Sequence, residues 1–142
     1  MLKKQDKYNI AIVGATGIVG ESLLSILNDR SFPINNIYAV ASQKSKGAKV
    51  KFGDQLLTVK ALDEFDFSSI DIAFFSAGGS ISKEYAPKAA SQGCVVIDNT
   101  SEFRYVDNIP LIVPEVNPSD IEKYKETNII ANPNCSTIQM LV

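Results

Sequence analysis

The sequence predicts a doubly wound α/β fold, a mostly parallel sheet with helices on both faces. Strand-like and helix-like segments alternate along the chain. The strand-like segments are short, continuously apolar runs, as expected when both faces of a parallel sheet are covered by crossover helices. A glycine cluster, Gly14-Ala15-Thr16-Gly17-Ile18-Val19-Gly20, falls between the first strand and the first helix.

The elements follow in order. Tyr8–Val13 is compact, apolar and β-branched, and leads into the glycine loop. From Ile18 to Asn28, the residues Ile18, Val19, Leu23, Leu24, Ile26 and Leu27 recur at helical spacing. Asn35 and Asn36 punctuate before a second strand at Ile37–Val40, and residues 42–48 form a polar loop. Two short β-like pieces, Val50–Phe52 and Leu56–Val59, flank a Gly53-Asp54 turn and predict a small added hairpin. Ile70–Ser76 is the next strand, closed by Ala77-Gly78-Gly79. Ser80 is placed to cap a helix running to Gln92 and stopped by Gly93, with a kink or early break expected at Pro87. Cys94–Asp98 is another buried strand, and Leu111–Val113 a short one. Asn117-Pro118 has the form of an N-cap followed by Pro at the first helical position, opening a helix to about Lys125. Ile129–Ala131 is the last strand, and Cys135 opens a final helical segment.

Composition sets the bounds. The 142 residues suit one domain with a real core; 45% are hydrophobic and 21% charged, ordinary values for a globular protein. The net charge is −2 and the Lys and Arg residues are scattered, which argues against nucleic acid as a partner. Cys94 and Cys135 have neither zinc-type spacing nor the density of a disulfide scaffold, so no metal is expected and a reducing cytoplasm is the default location. Lys3, Lys4 and Lys7 before Ile10–Val13 imitate a signal peptide, but Gly14, Thr16, Gly17, Gly20 and Glu21 interrupt the apolar run. No apolar stretch approaches the roughly 20 residues of a membrane-spanning helix.

The glycine loop lies where a dinucleotide fingerprint works. Glycines let the backbone turn sharply and approach a pyrophosphate, and the next helix presents its N–H groups. The spacing is G-x-x-G-x-x-G rather than G-x-G-x-x-G; a turn built only for tight packing is the competing explanation. Gly14, Thr16, Gly17, Ile18 and Val19 are the expected cofactor contacts. At the end of the second strand an NAD-selective site usually carries an acid for the ribose hydroxyls. Here Ala41-Ser42-Gln43-Lys44-Ser45-Lys46-Gly47 offers hydroxyls and lysines, so Ser42, Lys44 and Ser45 point to NADP. Ser76, Ala77 and Gly78 fall at the end of a parallel strand, the usual ligand edge; a simple strand-to-helix turn is the competing explanation.

Asn132-Pro133-Asn134-Cys135-Ser136-Thr137 is the most informative stretch. A thiol at a helix start faces unpaired backbone N–H groups and the positive end of the helix dipole, which favour a thiolate. The same N–H groups suit an oxyanion formed when sulfur attacks a carbonyl. A buried, inert cysteine is the competing explanation, and Cys94 in its apolar strand is assigned that role. The chain contains no histidine, the commonest partner base for such a thiol, and ends in a helical pattern at Val142. A partner base beyond these residues is therefore expected, as in a truncated enzyme.

Taken together these motifs resemble aspartate-semialdehyde dehydrogenase, over its N-terminal part. The resemblance runs through Gly14–Gly20, Ala41–Gly47, Phe75–Ser80, Asp98-Asn99-Thr100-Ser101-Glu102-Phe103-Arg104, Pro114–Asn117 and Asn132–Thr137. It implies that residues 1–142 are an NADP-binding domain including the cysteine motif, with a C-terminal catalytic and dimerisation domain absent. It further implies reductive dephosphorylation of L-4-aspartyl phosphate to L-aspartate 4-semialdehyde through a cysteine thioester, in amino-acid biosynthesis. On that resemblance Cys135 is the nucleophile, Asn134 positions the reacting carbonyl, Arg104 binds phosphate, Ser76, Ala77 and Gly78 approach the cofactor, and the intact enzyme is a homodimer or tetramer. Where many relatives carry Arg in the cofactor loop, this chain has Lys44, a point charge without Arg's bidentate fork. Three alternatives stand beside it: a malonyl-CoA reductase, an N-acetylglutamyl-phosphate reductase, disfavoured by Asn134 where that family has Gly, and a non-catalytic nucleotide-binding module.

Overall fold

The computed structural model describes residues 2–142. Its elements are β1 (Tyr8–Val13), α1 (Ile18–Asp29), β2 (Ile34–Ala41), β3 (Lys49–Phe52), β4 (Gln55–Thr58), β5 (Lys60–Ala61), β6 (Ile72–Phe75), α2 (Gly79–Ser91), β7 (Val95–Asp98), β8 (Ile129–Ala131) and α3 (Cys135–Leu141). Six strands form one sheet in the order β5-β2-β1-β6-β7-β8, every neighbouring pair parallel. With these strands counted first to sixth along the chain, the order is 3-2-1-4-5-6, the doubly wound dinucleotide-binding arrangement. Its direction of winding reverses between β1 and β6, and this places a crevice at their carboxyl ends.

The alternation of side chains along β1 shows why both faces are covered. Ile10 and Ile12 pack with Leu24 and Leu27 of α1, while Ala11 and Val13 pack with Ala86, Ala89 and Ala90 of α2. All four β1 residues are fully buried. Each fully buried aliphatic side chain of this kind contributes about 1.5–3 kcal/mol before chain entropy is counted. The alanine face of α2 lets that helix lie close to the sheet.

The β3–β4 hairpin pairs antiparallel around Gly53-Asp54, as expected, and stands apart from the main sheet. The two-residue edge strand β5 was not expected from the sequence. Pro87 does not break α2, which runs continuously to Ser91. Pro87 and Lys83 are both exposed, so the Lys83 carbonyl deprived of its N–H partner faces water rather than the core. The N-cap of this helix is Gly78, not Ser80: at φ +98 it turns the chain out of β6, and α2 starts at Gly79. Asn117 does not cap with its side chain. Its Oδ1 instead accepts from the Val113 N–H at 2.9 Å, and its Nδ2 donates to Leu111 O at 2.9 Å. The segment Pro118–Glu126 that follows is a 3₁₀ helix with no buried residue to anchor an α-helical stripe. Leu111 extends the sheet beside β8 by a single parallel bridge to Ala131.

Candidate dinucleotide and thiol site

The glycine loop is shaped by close backbone approach. Gly14 has φ +92, and a Cβ there would lie 2.9 Å from both the carbonyl carbon and Oγ of Ser76. Its N–H donates to Val40 O at 2.9 Å, which ties the loop to β2. A Cβ on Gly20 would sit 2.2 Å from Gly14 O, so only glycine lets α1 start against this turn.

The helix mouth is left open. Gly17 caps α1 without a side-chain hydrogen bond, and its own N–H donates to Gly14 O at 3.0 Å. The N–H groups of Ile18, Val19 and Gly20 have no backbone acceptor among the described residues. Unpaired N–H donors at the positive end of a 12-residue helix are the kind of group that can receive the oxygens of an anion.

Two clefts flank this mouth. One, of about 310 Å³, is lined by Gly14, Thr16, Gly17, Ser42, Leu62, Ser76, Ala77 and Ile81 among others. The other, about 170 Å³, lies on the α1 face between Val19, Leu23, Phe74, Ile97, Asn99 and Asn132. The first unites the expected contacts Gly14, Thr16, Gly17, Ser42, Ser76 and Ala77; Val19 lines the second. Lys44, Ser45, Ile18 and Gly78 border neither cleft. Ile18 is 86% exposed, so its side chain adds little and its N–H is the group placed for a ligand.

At the far end of the sheet, β8 delivers Asn132 to the carboxyl edge, and its N–H donates to Asp98 O at 2.8 Å. Arg104 spans the two strand ends: Nε donates to Asn132 O at 3.0 Å and Nη2 to Asn99 O at 3.1 Å. The side chains of Asn132 and Asn99 are also joined, Nδ2 to Oδ1 at 2.7 Å. Arg104 is half-buried, and three of its five N–H donors remain for an anion. Asn99 and the positioning part played by Asn132 had no sequence signal beyond lying next to Arg104 and Cys135 in recognised motifs.

At the end of β7, before the loop that carries Arg104, lies the fully buried Asp98. Its Oδ1 accepts from Ser82 Oγ at 2.6 Å, and its Oδ2 from Thr100 Oγ1 at 2.7 Å. These bonds tie α2 to the loop that carries Arg104. A buried carboxylate needs such donors, because an unpaired one is strongly penalised.

Cys135 is exposed at the first position of α3, and Asn134 caps that helix, its Oδ1 accepting from the Ser136 N–H at 2.9 Å. Asn134 therefore fixes the turn that presents the sulfur. Cys94 is fully buried, and burial pushes its thiol up to about 12. It is an inert core residue, as expected.

The strand order, the reversal at β1 and β6, and the open helix mouth together define a dinucleotide-binding domain. Residues 9–124 match the family described as semialdehyde dehydrogenase, NAD binding domain, and the chain belongs to that family. The chain is 60% identical over 134 residues to an aspartate-semialdehyde dehydrogenase of Legionella pneumophila, covering 94% of this chain and 39% of that relative. It superposes with TM-score 0.93 and 53% identity on the aspartate semialdehyde dehydrogenase II of Vibrio cholerae complexed with ASA, over 95% of this chain and 44% of the other. It superposes with TM-score 0.78 and 25% identity on aspartate semialdehyde dehydrogenase with NADP from Candida albicans, over 93% and 44% of the two chains. The chain thus spans about two fifths of the curated relatives' length. Among the described residues no helix is long and apolar enough to cross a membrane.

Proposed function

We propose that this chain is the cofactor-binding, nucleophile-bearing part of an enzyme that reduces L-4-aspartyl phosphate to L-aspartate 4-semialdehyde with NADPH. The observation that carries this reading is the tether between Arg104 and Asn132, three residues before Cys135. It ties the Arg104 side chain to the turn that leads into the exposed Cys135, at the carboxyl edge of the sheet where the mouth of α1 also opens, which supports an anion site next to a nucleophile. The names of the similar proteins support the same reading.

In the proposed reaction, the Cys135 sulfur attacks the acyl carbon and the carbon–oxygen bond to phosphate breaks, giving a thioester. The free N–H groups of Arg104 hold the phosphate as it departs. Asn134 keeps the cysteine turn in place and would help position the reacting carbonyl. A bound NADPH would supply the hydride that reduces the thioester carbon. Collapse of the resulting thiohemiacetal releases the aldehyde and returns the sulfur as leaving group. The N–H groups of Ile18, Val19 and Gly20 would hold the cofactor's pyrophosphate, Ser42 and Lys44 would meet its 2′-phosphate, and Ser76 and Ala77 would border it at the end of β6.

The proton-transfer group and the ligand for the substrate's carboxylate are assigned to residues outside these 142, which contain no histidine. Assembly as a homodimer or tetramer in a reducing cytoplasm belongs to the same reading. The test is mass spectrometry of the chain after exposure to aspartyl phosphate generated in situ. We expect an acyl adduct on Cys135, lost in Cys135→Ala and formed more slowly in Arg104→Ala. No adduct, or one that persists in Cys135→Ala, overturns the assignment.

A further inference from the structure

Two lysines, Lys44 and Lys46, follow β2, but tertiary contacts treat them differently. The crossover after β5 brings Asp63 and Glu64 against this loop. Lys46 Nζ pairs with Glu64 Oε2 at 2.5 Å. Gln43 Nε2 donates to Glu64 Oε1 at 2.7 Å and to Asp63 Oδ2 at 3.2 Å. The Lys46 ammonium, with Gln43, holds the Glu64 carboxyl below the usual carboxylate range.

The pair also lies outside the dinucleotide cleft. Lys46 and Glu64 both line a separate cleft of about 580 Å³ along the β5 edge, whereas Ser42 and Leu62 line the dinucleotide cleft. Leu62 is two residues before Glu64, so the carboxylate stands near this cleft without bordering it. Lys44 is exposed and has no carboxylate within ion-pair reach among the described residues.

We propose that Glu64 is a specificity-determining residue: by sequestering Lys46 it leaves Lys44 as the loop lysine available to a 2′-phosphate, and so limits the preference for NADP over NAD. Glu64 touches no cofactor in this account; it acts through Lys46. Sequence order hides the effect, because 18 residues separate the partners. The chain carries its acid for this loop after the third sheet strand instead of after the second. The proposal rests on the dinucleotide reading of the cleft.

The test is calorimetric titration of the chain with NADP and with NAD at one fixed salt concentration. In Glu64→Gln the ratio of NADP to NAD affinity should rise about three- to tenfold, the scale of one added cation a few ångströms from a phosphate in screened surroundings. The double variant Glu64→Gln/Lys46→Gln should lose that gain, and Lys46→Gln alone should leave the ratio within about twofold of the parent. The substituted side chains are half-exposed, and circular dichroism confirms the fold of each variant. An unchanged ratio in Glu64→Gln, an equal fall for both nucleotides, or a gain that survives in the double variant overturns the proposal. If the parent chain binds neither nucleotide, the cofactor reading itself falls.

Discussion

The two ends of the ligand edge are built on different principles. At β1–α1 the glycine turn is closed by its own backbone, with Gly14 bonded to Val40 and Gly20 packed on the Gly14 carbonyl. At β8–α3 the cysteine turn is held by side chains borrowed from elsewhere, Arg104 and Asn99, and α3 beyond it has no buried residue. Met140, Leu141 and Val142 are 85%, 54% and 72% exposed. The first end is complete in itself and suits binding, which needs a rigid cradle. The second presents the proposed nucleophile, Cys135, and the proposed anion ligand, Arg104, with little of its own packing around them. Binding is therefore expected to be a property of these residues, and turnover is not.

The largest effect tests that contrast directly. In phosphate-dependent reduction of NADP by aspartate semialdehyde, these residues alone should fall below a full-length relative by at least the about 10²–10⁴-fold that general acid–base catalysis supplies. Comparable turnover would show that the cysteine end is as self-sufficient as the glycine end.

The thiols come next. Iodoacetamide near neutral pH, followed by peptide mapping, should modify Cys135 about a hundredfold or more faster than Cys94, which is buried and protonated. Faster labelling of Cys94 in a folded sample would remove Cys135 from the site. Because the Cys94 thiol is raised from 9.0 to about 12 on folding, the folded state holds its proton more tightly. Its contribution to stability is complete below about pH 9 and is lost as pH rises toward 12. Cys94→Ala should flatten that alkaline decline in thermal melts, whatever it costs at neutral pH.

Gly20→Ala sharpens the comparison from the other side. The added methyl meets backbone that cannot move aside, so a loss of about 1–3 kcal/mol is expected in urea titration, together with loss of NADP binding. Asn132→Ala leaves the backbone of its turn intact and removes the bond to Asn99; about 1 kcal/mol is expected, with NADP affinity changed far less than in Gly20→Ala. If the two variants weaken cofactor equally, the ends are not independent. The smallest effect is Lys44→Ala, which should weaken NADP about three- to tenfold and leave NAD nearly unchanged. Equal loss of both would show that Lys44 supports the loop and not the phosphate.

Most of the architecture was legible because local rules and tertiary packing agree. The buried run of β1, the helical spacing from Ile18, the Gly53-Asp54 hairpin and the strand at Ile129–Ala131 are consequences of periodicity and turn chemistry. Expectations failed where local chemistry had a competing partner. Asn117 has the side chain of an N-cap, yet the strand-end groups of Leu111 and Val113 claim it. Pro87 removes one hydrogen bond from α2, but the carbonyl it frees is on the exposed face, where water can satisfy it.

The sequence alone determined the doubly wound class, the glycine turn and the contrast between Cys94 and Cys135, since each follows from residues adjacent in the chain. Only the tertiary structure decided that Arg104 is tethered to Asn99 and Asn132, that Ser82 and Thr100 satisfy the buried Asp98, and that Glu64 claims Lys46. Thr100 and Asn99 are near neighbours of their partners in the chain, but Ser82, Asn132 and Glu64 reach theirs from other strands and crossovers. Parallel strands bring their carboxyl ends together irrespective of sequence distance, so which polar groups meet there is fixed by strand order and register rather than by any local pattern.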